Sequence, residues 1–311
     1  MVERIVVVTK PTRLAELTRR HSIGQLRFLL ERRGESLAEY EEEDVRYRQA
    51  LDRVVGGLPR EFPREVIPRD LVPRYLFRPS DLVVTLGPDG LVVNVAKYLD
   101  GQPILAVNPD PARIDGTLAR FSREAIGPVV AAAILGACPI DTLSLARVRT
   151  NDGQELLAVN DFKVGRRDQV SSRYRVTHRG REERQSSSGI IVATGVGSSG
   201  WMRSIVTGAT AIAEACGWTR PAKAQTETQV PFAWDARHLL FAVQEPFPSV
   251  ASKVSIAFGR IEEGEDLTVT SEMAEGGVIF SDGIADDAIP FNAGTTAHIT
   301  IAERTAALLR P

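Results

Sequence analysis

Two stretches of the sequence combine glycines with side chains that could handle phosphate, and the first is Gly87-Pro88-Asp89-Gly90. Glycine at positions 87 and 90 would let the backbone approach a phosphate closely, and a helix beginning there would add N–H donors and positive dipole. The Asp89 carboxylate could bind a magnesium ion or accept the proton of an attacking hydroxyl. The same residues are typical of a type I turn with proline second and glycine fourth, and the local sequence alone favours that turn.

The second stretch follows an apolar run that ends at Ala193 and leads into a helical pattern at Trp201. Residues 194–200 contain three glycines and three hydroxyl side chains, among them Thr194, Gly195, Gly197 and Ser198. Backbone N–H groups and hydroxyls could wrap a nucleotide with many donors at little steric cost. A flexible connection with a serine N-cap explains the pattern equally well. The stretch is neither a P-loop nor a nucleophile elbow.

A polar pair, Asn160-Asp161, interrupts an apolar segment. Asn and Asp are poor strand residues, so the pair should find a partner or bind something, and a vicinal ribose diol has the right shape for adjacent amide and carboxylate groups. A strand end with an Asx turn is the alternative. Arg173 nearby could contact a phosphate, although a solvated loop is the simpler interpretation.

The elements that must position these residues change character near residue 140. Residues 4–8, 81–86 and 103–107 are apolar on both faces and separated by helical lengths, which indicates a Rossmann-like parallel sheet in an α/β domain. Two helices are expected between residues 13 and 57, the first burying Leu26, Leu29 and Leu30, and residues 63–79 are expected to be a surface connection.

The second half alternates polar and apolar residues, which predicts a β-rich domain with one helix from Trp201 to about Ala215. A strand is also expected at residues 254–258. The expected domains are residues 1–125, with residues 290–311 as a candidate completion of the sheet, and residues 126–289.

Composition narrows the class of protein. The chain has 311 residues, 43% hydrophobic and 25% charged, as in a soluble globular protein. A net charge of −2 gives no reason to expect a nucleic-acid partner. No apolar run is long enough for a membrane span, no secretory signal is visible, and the two cysteines are isolated. We therefore expect a cytoplasmic protein with neither a membrane partner nor a structural zinc.

Taken in order, these stretches resemble the NAD kinase family, and especially its mitochondrial-type branch. The family has a Gly-Gly-Asp-Gly loop after a strand, a Val-Asn strand end, an Asn-Glu pair, and a Thr-Gly-x-Gly-Ser loop opening a helix. The matching residues here are Gly87 to Gly90, Val107-Asn108, Asn160-Asp161 and residues 194–198, with Trp201 and residues 8–13 similar to the mitochondrial-type branch. The resemblance covers about residues 5 to 205.

The resemblance implies an NAD kinase-like two-domain architecture and an ATP-dependent phosphorylation of the 2'-hydroxyl of the adenosine ribose of NAD, which gives NADP. Asp89 would be the catalytic carboxylate, and Mg²⁺ or another divalent cation would be held mainly through the phosphates, with Asp89 as the one candidate protein ligand. NAD and ATP would be the small-molecule partners, and the assembly would be a homodimer or homotetramer. The implied nucleotide-binding residues are Gly87, Gly90, Asn108, Asn160, Asp161, Arg173, Thr194, Gly195, Gly197, Ser198 and Trp201.

Two residues depart from the family pattern. Pro88 replaces a glycine, which removes one N–H from the loop and fixes φ near about −65°. Losing one donor to a charged oxygen costs about 1.5 to 3 kcal/mol, or roughly one to two decades in rate or affinity. Asp161 replaces Glu and is one methylene shorter. The alternatives are a catalytically weak or silent nucleotide-binding regulator on the same fold, and a kinase of a different hydroxyl substrate.

Overall fold

The computed structural model describes residues 2–218 and 229–311. The chain divides into two compact units. Unit 1 comprises Met1–Asp141 and Ala307–Pro311, and unit 2 comprises Thr142–Ala306. The first boundary was expected at 125/126 and the return of the chain at 290, whereas the units change at 141/142 and at 306/307.

Unit 1 is an α/β unit. Its elements are β1 (Arg4–Thr9), α1 (Arg13–Thr18), α2 (Ile23–Arg32), α3 (Leu37–Gly57), β2 (Arg64–Pro68), β3 (Asp81–Leu86), α4 (Asp89–Ala96), β4 (Pro103–Asn108), β5 (Phe121–Ser122) and α5 (Ile126–Ile134). The strand order is β2-β1-β3-β4, and every pairing along it is parallel. Ala307 and Leu308 near the chain end also pair with β4 in parallel. The predicted parallel sheet is confirmed.

Strands β1, β3 and β4 are buried on both faces, as their unbroken apolar sequences predict. Alternate residues of these strands, such as Ile5 and Val84, share one core cluster with Val54 of α3 and Val130 of α5. This core fixes the strands in register, and with them the loops that leave their carboxyl ends.

Three helices, not two, occupy residues 13–57. The extra boundary has a local cause: the Ser22 hydroxyl accepts the Gln25 N–H while the Gln25 side chain accepts the Ser22 N–H, which is a capping box. In the helix that follows, Leu26 and Leu30 are buried, but Leu29 is 38% exposed. The expectation for Leu29 was wrong because residues four apart share a helix face, whereas Leu29 lies about 100° away from Leu30.

Unit 2 is β-rich. Its elements are β6 (Ile140–Thr150), β7 (Glu155–Ala158), β8 (Asp161–Arg166), β9 (Ser172–His178), β10 (Arg181–Ser187), β11 (Gly189–Ala193), α6 (Trp201–Ala215), β12 (His238–Gln244), β13 (Phe258–Glu262), β14 (Leu267–Ser271), β15 (Gly277–Ser281), β16 (Ile284–Pro290) and β17 (Thr296–Leu309). The strand expected at residues 254–258 was wrong: the chain there is irregular and the strand begins only at Phe258.

Two sheets make up unit 2. One has the order β10-β9-β14-β17, with β6 beside β17, and the other has the antiparallel order β13-β12-β11-β8-β15-β16. Strand β11 shows how both faces of the second sheet are used. Ile190 and Val192 join the core shared with the other sheet, while Ile191 and Ala193 pack with Met202 of α6. Successive side chains of β11 point to opposite faces of the sheet, so Ile191 and Ala193 form the outer face that α6 covers.

Among the residues described, no helix combines the length and the apolar character that crossing a membrane requires.

Candidate functional site

The loops that follow three neighbouring strands of unit 1 meet at one edge of its sheet. In the register of that sheet Thr9 lies opposite Leu86, and Leu86 lies opposite Val107. The residues that follow these strands, 10–12, 87–88 and 109–120, are therefore neighbours. The carboxyl ends of parallel strands are where open α/β sheets bind their ligands.

Two glycines with different surroundings lie at this junction, Gly87 in the turn after β3 and Gly90 in the first turn of α4. Gly87 donates its N–H to the Val107 carbonyl (3.1 Å), and a Cβ on Gly87 would lie 2.8 Å from Leu91 Cδ2. A side chain at position 87 would therefore force the Leu91 side chain to move, so packing favours glycine there. A Cβ on Gly90 would meet no heavy atom of the described residues within 4 Å. Nothing inside the folded chain calls for glycine at position 90, whereas a ligand that approaches the backbone there would.

Asp89, the first residue of α4, ties that helix to the loop after β4. Its Oδ1 accepts the N–H groups of Leu118 and Ala119, and its Oδ2 accepts the N–H of Thr117, each at 2.9 Å. A carboxylate has roughly four acceptor positions, two on each oxygen. Oδ1 is therefore saturated, and Oδ2 retains one position for a hydroxyl proton or a metal ion.

Asn108 holds the beginning of the same loop. Its Oδ1 accepts the N–H of Asp110 (3.0 Å) and its Nδ2 donates to the Ile114 carbonyl (2.8 Å). Gly116 has a φ of 65°, and a Cβ there would lie 2.5 Å from the Ala119 carbonyl oxygen. The loop is thus shaped by Asn108 and a required glycine at one end and by Asp89 at the other, so Asn108 acts on the loop in this structure.

A pocket of about 310 Å³ opens at this edge, beside Pro88. It is formed entirely by unit 1. Its lining residues are Lys10, Pro11, Thr12, Arg13, Glu16, Glu43, Tyr47, Pro88, Pro109, Asp110, Arg113 and Ile114. They come from all three loops and from the helices that follow β1. This pocket was not predicted from the sequence, although a lysine immediately after a buried parallel strand was a usable signal.

The cations of the pocket are held to different degrees. The Arg13 guanidinium pairs with Glu43 (Nε to Oε2, 2.6 Å), and that hydrogen bond raises the pKa of Arg13. In the described part of the chain, the Lys10 ammonium has neither a hydrogen bond nor an ion pair. Tyr47 forms part of the wall: its hydroxyl accepts the Lys10 N–H and donates to the Leu86 carbonyl, both at 2.9 Å, and burial raises its pKa to about 12. Lys10 is therefore the cation that is free to bind an anion.

In unit 2, the loop that follows β11 is closed by its own hydroxyls. Thr194 and Ser198 are fully buried. The Thr194 hydroxyl donates to the Val159 carbonyl, and the Ser198 hydroxyl donates to the Gly195 carbonyl (2.6 Å) while accepting the N–H of Phe232 (3.0 Å). Both side chains are committed to the fold of the loop.

Close contacts inside the protein also explain the glycines of that loop. A Cβ on Gly195 would lie 1.9 Å from the Ala233 carbonyl oxygen, and a Cβ on Gly197 would lie 2.0 Å from the Asn160 carbonyl oxygen. The Thr194 N–H donates to the same Asn160 oxygen (2.9 Å). The fold therefore brings two separate candidate motifs of the sequence into contact, the loop at residues 194–198 and the polar pair Asn160-Asp161.

Asn160 and Asp161 lie where β8 begins. Asp161 pairs with Ala193, whose side chain packs towards α6, so Asp161 faces the same side. The Asp161 side chain is 8% exposed, and within the described ranges neither it nor the Asn160 side chain makes a hydrogen bond. Asp282 lies behind them: its carboxylate accepts the N–H groups of Val159, Asn160 and Asp161, at 2.7 Å for Asn160. Asp282 was not among the site residues expected from the sequence.

Desolvation makes Asp161 unusual. Burial, followed by the negative charge of Asp282, raises the pKa of Asp161 to about 7. In an unfolded chain the pKa of Asp is about 3.9. Because the folded state binds this proton more tightly, the contribution of Asp161 to stability is complete below about pH 4 and is lost as the pH rises through about 7.

We expect Asp161→Asn to abolish this loss, because the amide carries no charge to desolvate. The variant should be more stable than the parent at about pH 8.5 by a few kcal/mol, and the difference should shrink or reverse near pH 5. Urea unfolding at both pH values measures it, with Asp286→Asn, an exposed carboxylate of unit 2, as the matched control. Parallel pH profiles for the parent and Asp161→Asn would contradict this account of the carboxyl group.

Two further predicted site residues lie outside this cluster of contacts. Trp201 begins α6 and is 37% exposed, with the Lys163 ammonium 5.7 Å from its ring centroid. Lys163 follows Asp161 by two residues in β8, so Trp201 shares the α6 side of that strand. Arg173 lies in β9, in the other sheet of unit 2, opposite Ser186, and its side chain is exposed. In the described part of the chain, no hydrogen bond or ion pair joins Arg173 to the loop at residues 194–198.

Solved structures of other proteins share this fold. No family model matches the chain, and no curated protein sequence matches it. Among solved structures, yeast NADH kinase complexed with NADH superposes with a TM-score of 0.63 at 12% identity, covering 100% of this chain and 84% of the yeast chain. An NAD kinase from Archaeoglobus fulgidus in complex with ATP gives a TM-score of 0.55 at 16% identity, covering 98% and 93%. Over essentially its whole length, the chain therefore has a fold that it shares with NAD and NADH kinases.

Proposed function

We propose that this protein is a member of the NAD kinase family that uses ATP to phosphorylate the 2'-hydroxyl of the adenosine ribose of NAD or NADH. One observation carries the proposal: in a chain with this fold, Asp89 lies at the carboxyl edge of the parallel sheet, where open α/β sheets bind ligands, and keeps one acceptor position. The two solved kinases of the same fold bind NADH and ATP.

Asp89 is proposed to receive the proton of the 2'-hydroxyl. Three backbone N–H groups hold its carboxylate in one orientation, so the free position on Oδ2 has a fixed direction. A general base needs hydrogen-bond reach to the hydroxyl that it deprotonates, and a fixed carboxylate meets that need without reorganisation during the reaction.

The pocket beside Pro88 is proposed to hold the phosphates of the donor. Lys10 supplies a free ammonium, and α4 begins directly after Pro88 with the N–H groups of Asp89 and Gly90 unpaired among the described residues. The Leu91 N–H is bound to the Pro88 carbonyl (2.8 Å). The turn itself offers fewer donors than four residues could, because the Gly87 N–H is bound to Val107 and Pro88 has none. Open space at Gly90 supports a close approach of phosphate to the backbone.

In unit 2, Asn160 and Asp161 are proposed to bind a ribose or the adenine of a nucleotide. Within the described residues, the side chains of Asn160 and Asp161 make no hydrogen bond and are available to a ligand. Since the hydroxyls of Thr194 and Ser198 are committed inside the loop, contacts from residues 194–198 would come from its backbone.

A divalent cation fits this site only in part through protein ligands. Within residues 2–218 and 229–311, no three carboxylate, histidine or cysteine side chains lie close enough together to hold a metal ion. Asp89 Oδ2 offers one oxygen, which suits Mg²⁺ bound chiefly by substrate phosphates. When bound, the cation would neutralise charge on the transferring phosphoryl group.

Transfer of label from γ-labelled ATP tests the reaction class and the acceptor together. The proposal predicts label in NAD or NADH, dependent on Mg²⁺, and none in sugar or lipid alcohols offered in parallel. Label in a sugar or lipid alcohol but in neither dinucleotide would show that the protein is a kinase of a different acceptor. Absence of label in every acceptor would overturn the proposal.

Substitution of Lys10 by methionine tests the donor pocket. Hydrogen bonds to charged groups contribute about 1.5–3 kcal/mol, so the KM for ATP should rise roughly 10- to 100-fold while the KM for NAD changes little. Lys253→Met, which removes an exposed lysine of unit 2, is the matched control. Equal KM values for ATP in the two variants would place the donor phosphates elsewhere.

A second candidate is a nucleotide-binding regulator without turnover. It is favoured by the three backbone hydrogen bonds at Asp89, which give that residue a structural role, and by the missing N–H at Pro88. Nucleotide binding by the parent protein, with no label transfer, would select this candidate.

A further inference from the structure

A second pocket of unit 1, of about 480 Å³, adjoins the first and has four arginines in its lining. We call it the arginine pocket. Its charged lining residues are Arg13, Arg19, Arg20, Arg33, Glu16 and Asp70. Four guanidinium groups thus face two carboxylates, in a protein whose net charge is −2. Pro11, Arg13 and Glu16 also line the first pocket, so the two pockets share a wall.

The four arginines differ in what holds them. Arg13 is fixed by Glu43 and lies over the Tyr40 ring, 4.3 Å from its centroid. Arg19 approaches the Asp70 carboxylate at 3.8 Å. In the part of the chain that the structure describes, the guanidinium groups of Arg20 and Arg33 have no ion pair and no hydrogen bond. Arg20 and Arg33 therefore have no direct side-chain partner among the described residues. Set against Glu16, Asp70 and the Glu43 that holds Arg13, the four arginines leave one positive charge in excess.

We propose that the arginine pocket binds an anion with two or more phosphate groups, outside the site proposed for phosphoryl transfer. A guanidinium presents N–H donors in a planar fork that matches phosphate oxygens, and Arg20 and Arg33 both have this fork free. Arg13 keeps those donors that do not face Glu43. A pocket of about 480 Å³ is several times larger than one phosphate group, so a chain of phosphates fills it better and reaches guanidinium groups on separate segments. The binding does not depend on the proposed kinase reaction.

The probe is inorganic tripolyphosphate, titrated calorimetrically at low ionic strength. The titration is done in the Lys10→Met background, which weakens the neighbouring pocket. Adding Arg20→Ala and Arg33→Ala should weaken binding about 100-fold, since each lost charge-assisted contact changes affinity by roughly 10-fold. The control adds Arg27→Ala and Arg53→Ala, exposed arginines of α2 and α3 that lie outside both pocket linings and remove the same charge.

Tripolyphosphate binding that is retained in the control and lost with Arg20 and Arg33 supports the inference. Equal affinity in the two variants, or no binding to either, overturns it. A parallel titration with ATP distinguishes the source of the phosphate chain. Tighter binding of ATP than of tripolyphosphate, with the same dependence on Arg20 and Arg33, would identify a nucleotide, and the reverse order would identify a free phosphate chain.

Discussion

Replacement of Asp89 by asparagine is expected to lower kcat roughly 10²- to 10⁴-fold, the usual contribution of a positioned general base. The amide can still accept a hydrogen bond, but it cannot take up the hydroxyl proton. Nucleotide affinity should change much less, because Lys10 and the first turn of α4 remain. Turnover and ATP affinity are measured on the same preparation by steady-state kinetics and calorimetry.

The loss of turnover could also come from a disturbed loop, so the effect of Asp89→Asn on the loop must be measured separately. In Asp89→Asn one oxygen is replaced by an NH₂ group, which would face either the Thr117 N–H or those of Leu118 and Ala119. A buried unmet donor costs about 1–3 kcal/mol. Gly116→Ala strains the same loop and keeps the carboxylate, because its Cβ would press on the Ala119 carbonyl. If Gly116→Ala matched the loss of turnover, Asp89 would act by shaping the loop, and the base assignment would be wrong.

Substitution of Gly197 by alanine is expected to destabilise the protein by about 3 kcal/mol or more. The new Cβ would lie 2.0 Å from the Asn160 carbonyl oxygen and 2.4 Å from its carbon. Both are backbone atoms, so no side-chain rotation relieves the overlap. Displacing this carbonyl would also break its hydrogen bond from the Thr194 N–H. Denaturant unfolding measures the loss.

Gly208→Ala is the matched control for that prediction. Gly208 lies within α6, and a Cβ there would meet no described atom within 4 Å. Alanine should therefore leave stability unchanged or raise it by about 0.5–1 kcal/mol, as glycine is unfavourable inside a helix. Comparable unfolding midpoints for Gly197→Ala and Gly208→Ala would show that the loop can shift to accept a side chain.

The parallel sheet of unit 1 could be predicted where strands are buried on both faces, as in β1, β3 and β4. Strand β2 was missed because four of its five residues are exposed and its sequence, REVIP, ends in proline. It pairs with β1, at the edge of the sheet, and edge strands need no apolar run. Helix boundaries were the other error, although Ser22 and Ser36 both carry N-cap signals.

The candidate site could be predicted as a set of residues, but the role of each residue could not. Asp89 meets Thr117 and the residues after it from 28 or more positions away, and Asp282 meets Asn160 from 122 positions away. Neither pairing leaves a periodic signal in the sequence. Thr194 and Ser198 were candidates for contacts with a nucleotide, yet the fold turns both hydroxyls inward. Hydroxyl-rich loops satisfy their own backbone as readily as a ligand.

The measurement that tests the central claim most directly is the formation of NADP from NAD, MgATP and the purified protein, followed with a dehydrogenase that accepts only the 2'-phosphorylated cofactor. The account predicts NADP in step with ADP, from NAD or, after oxidation of the product, from NADH. A folded protein that binds ATP and yields no 2'-phosphorylated dinucleotide from either acceptor would contradict it.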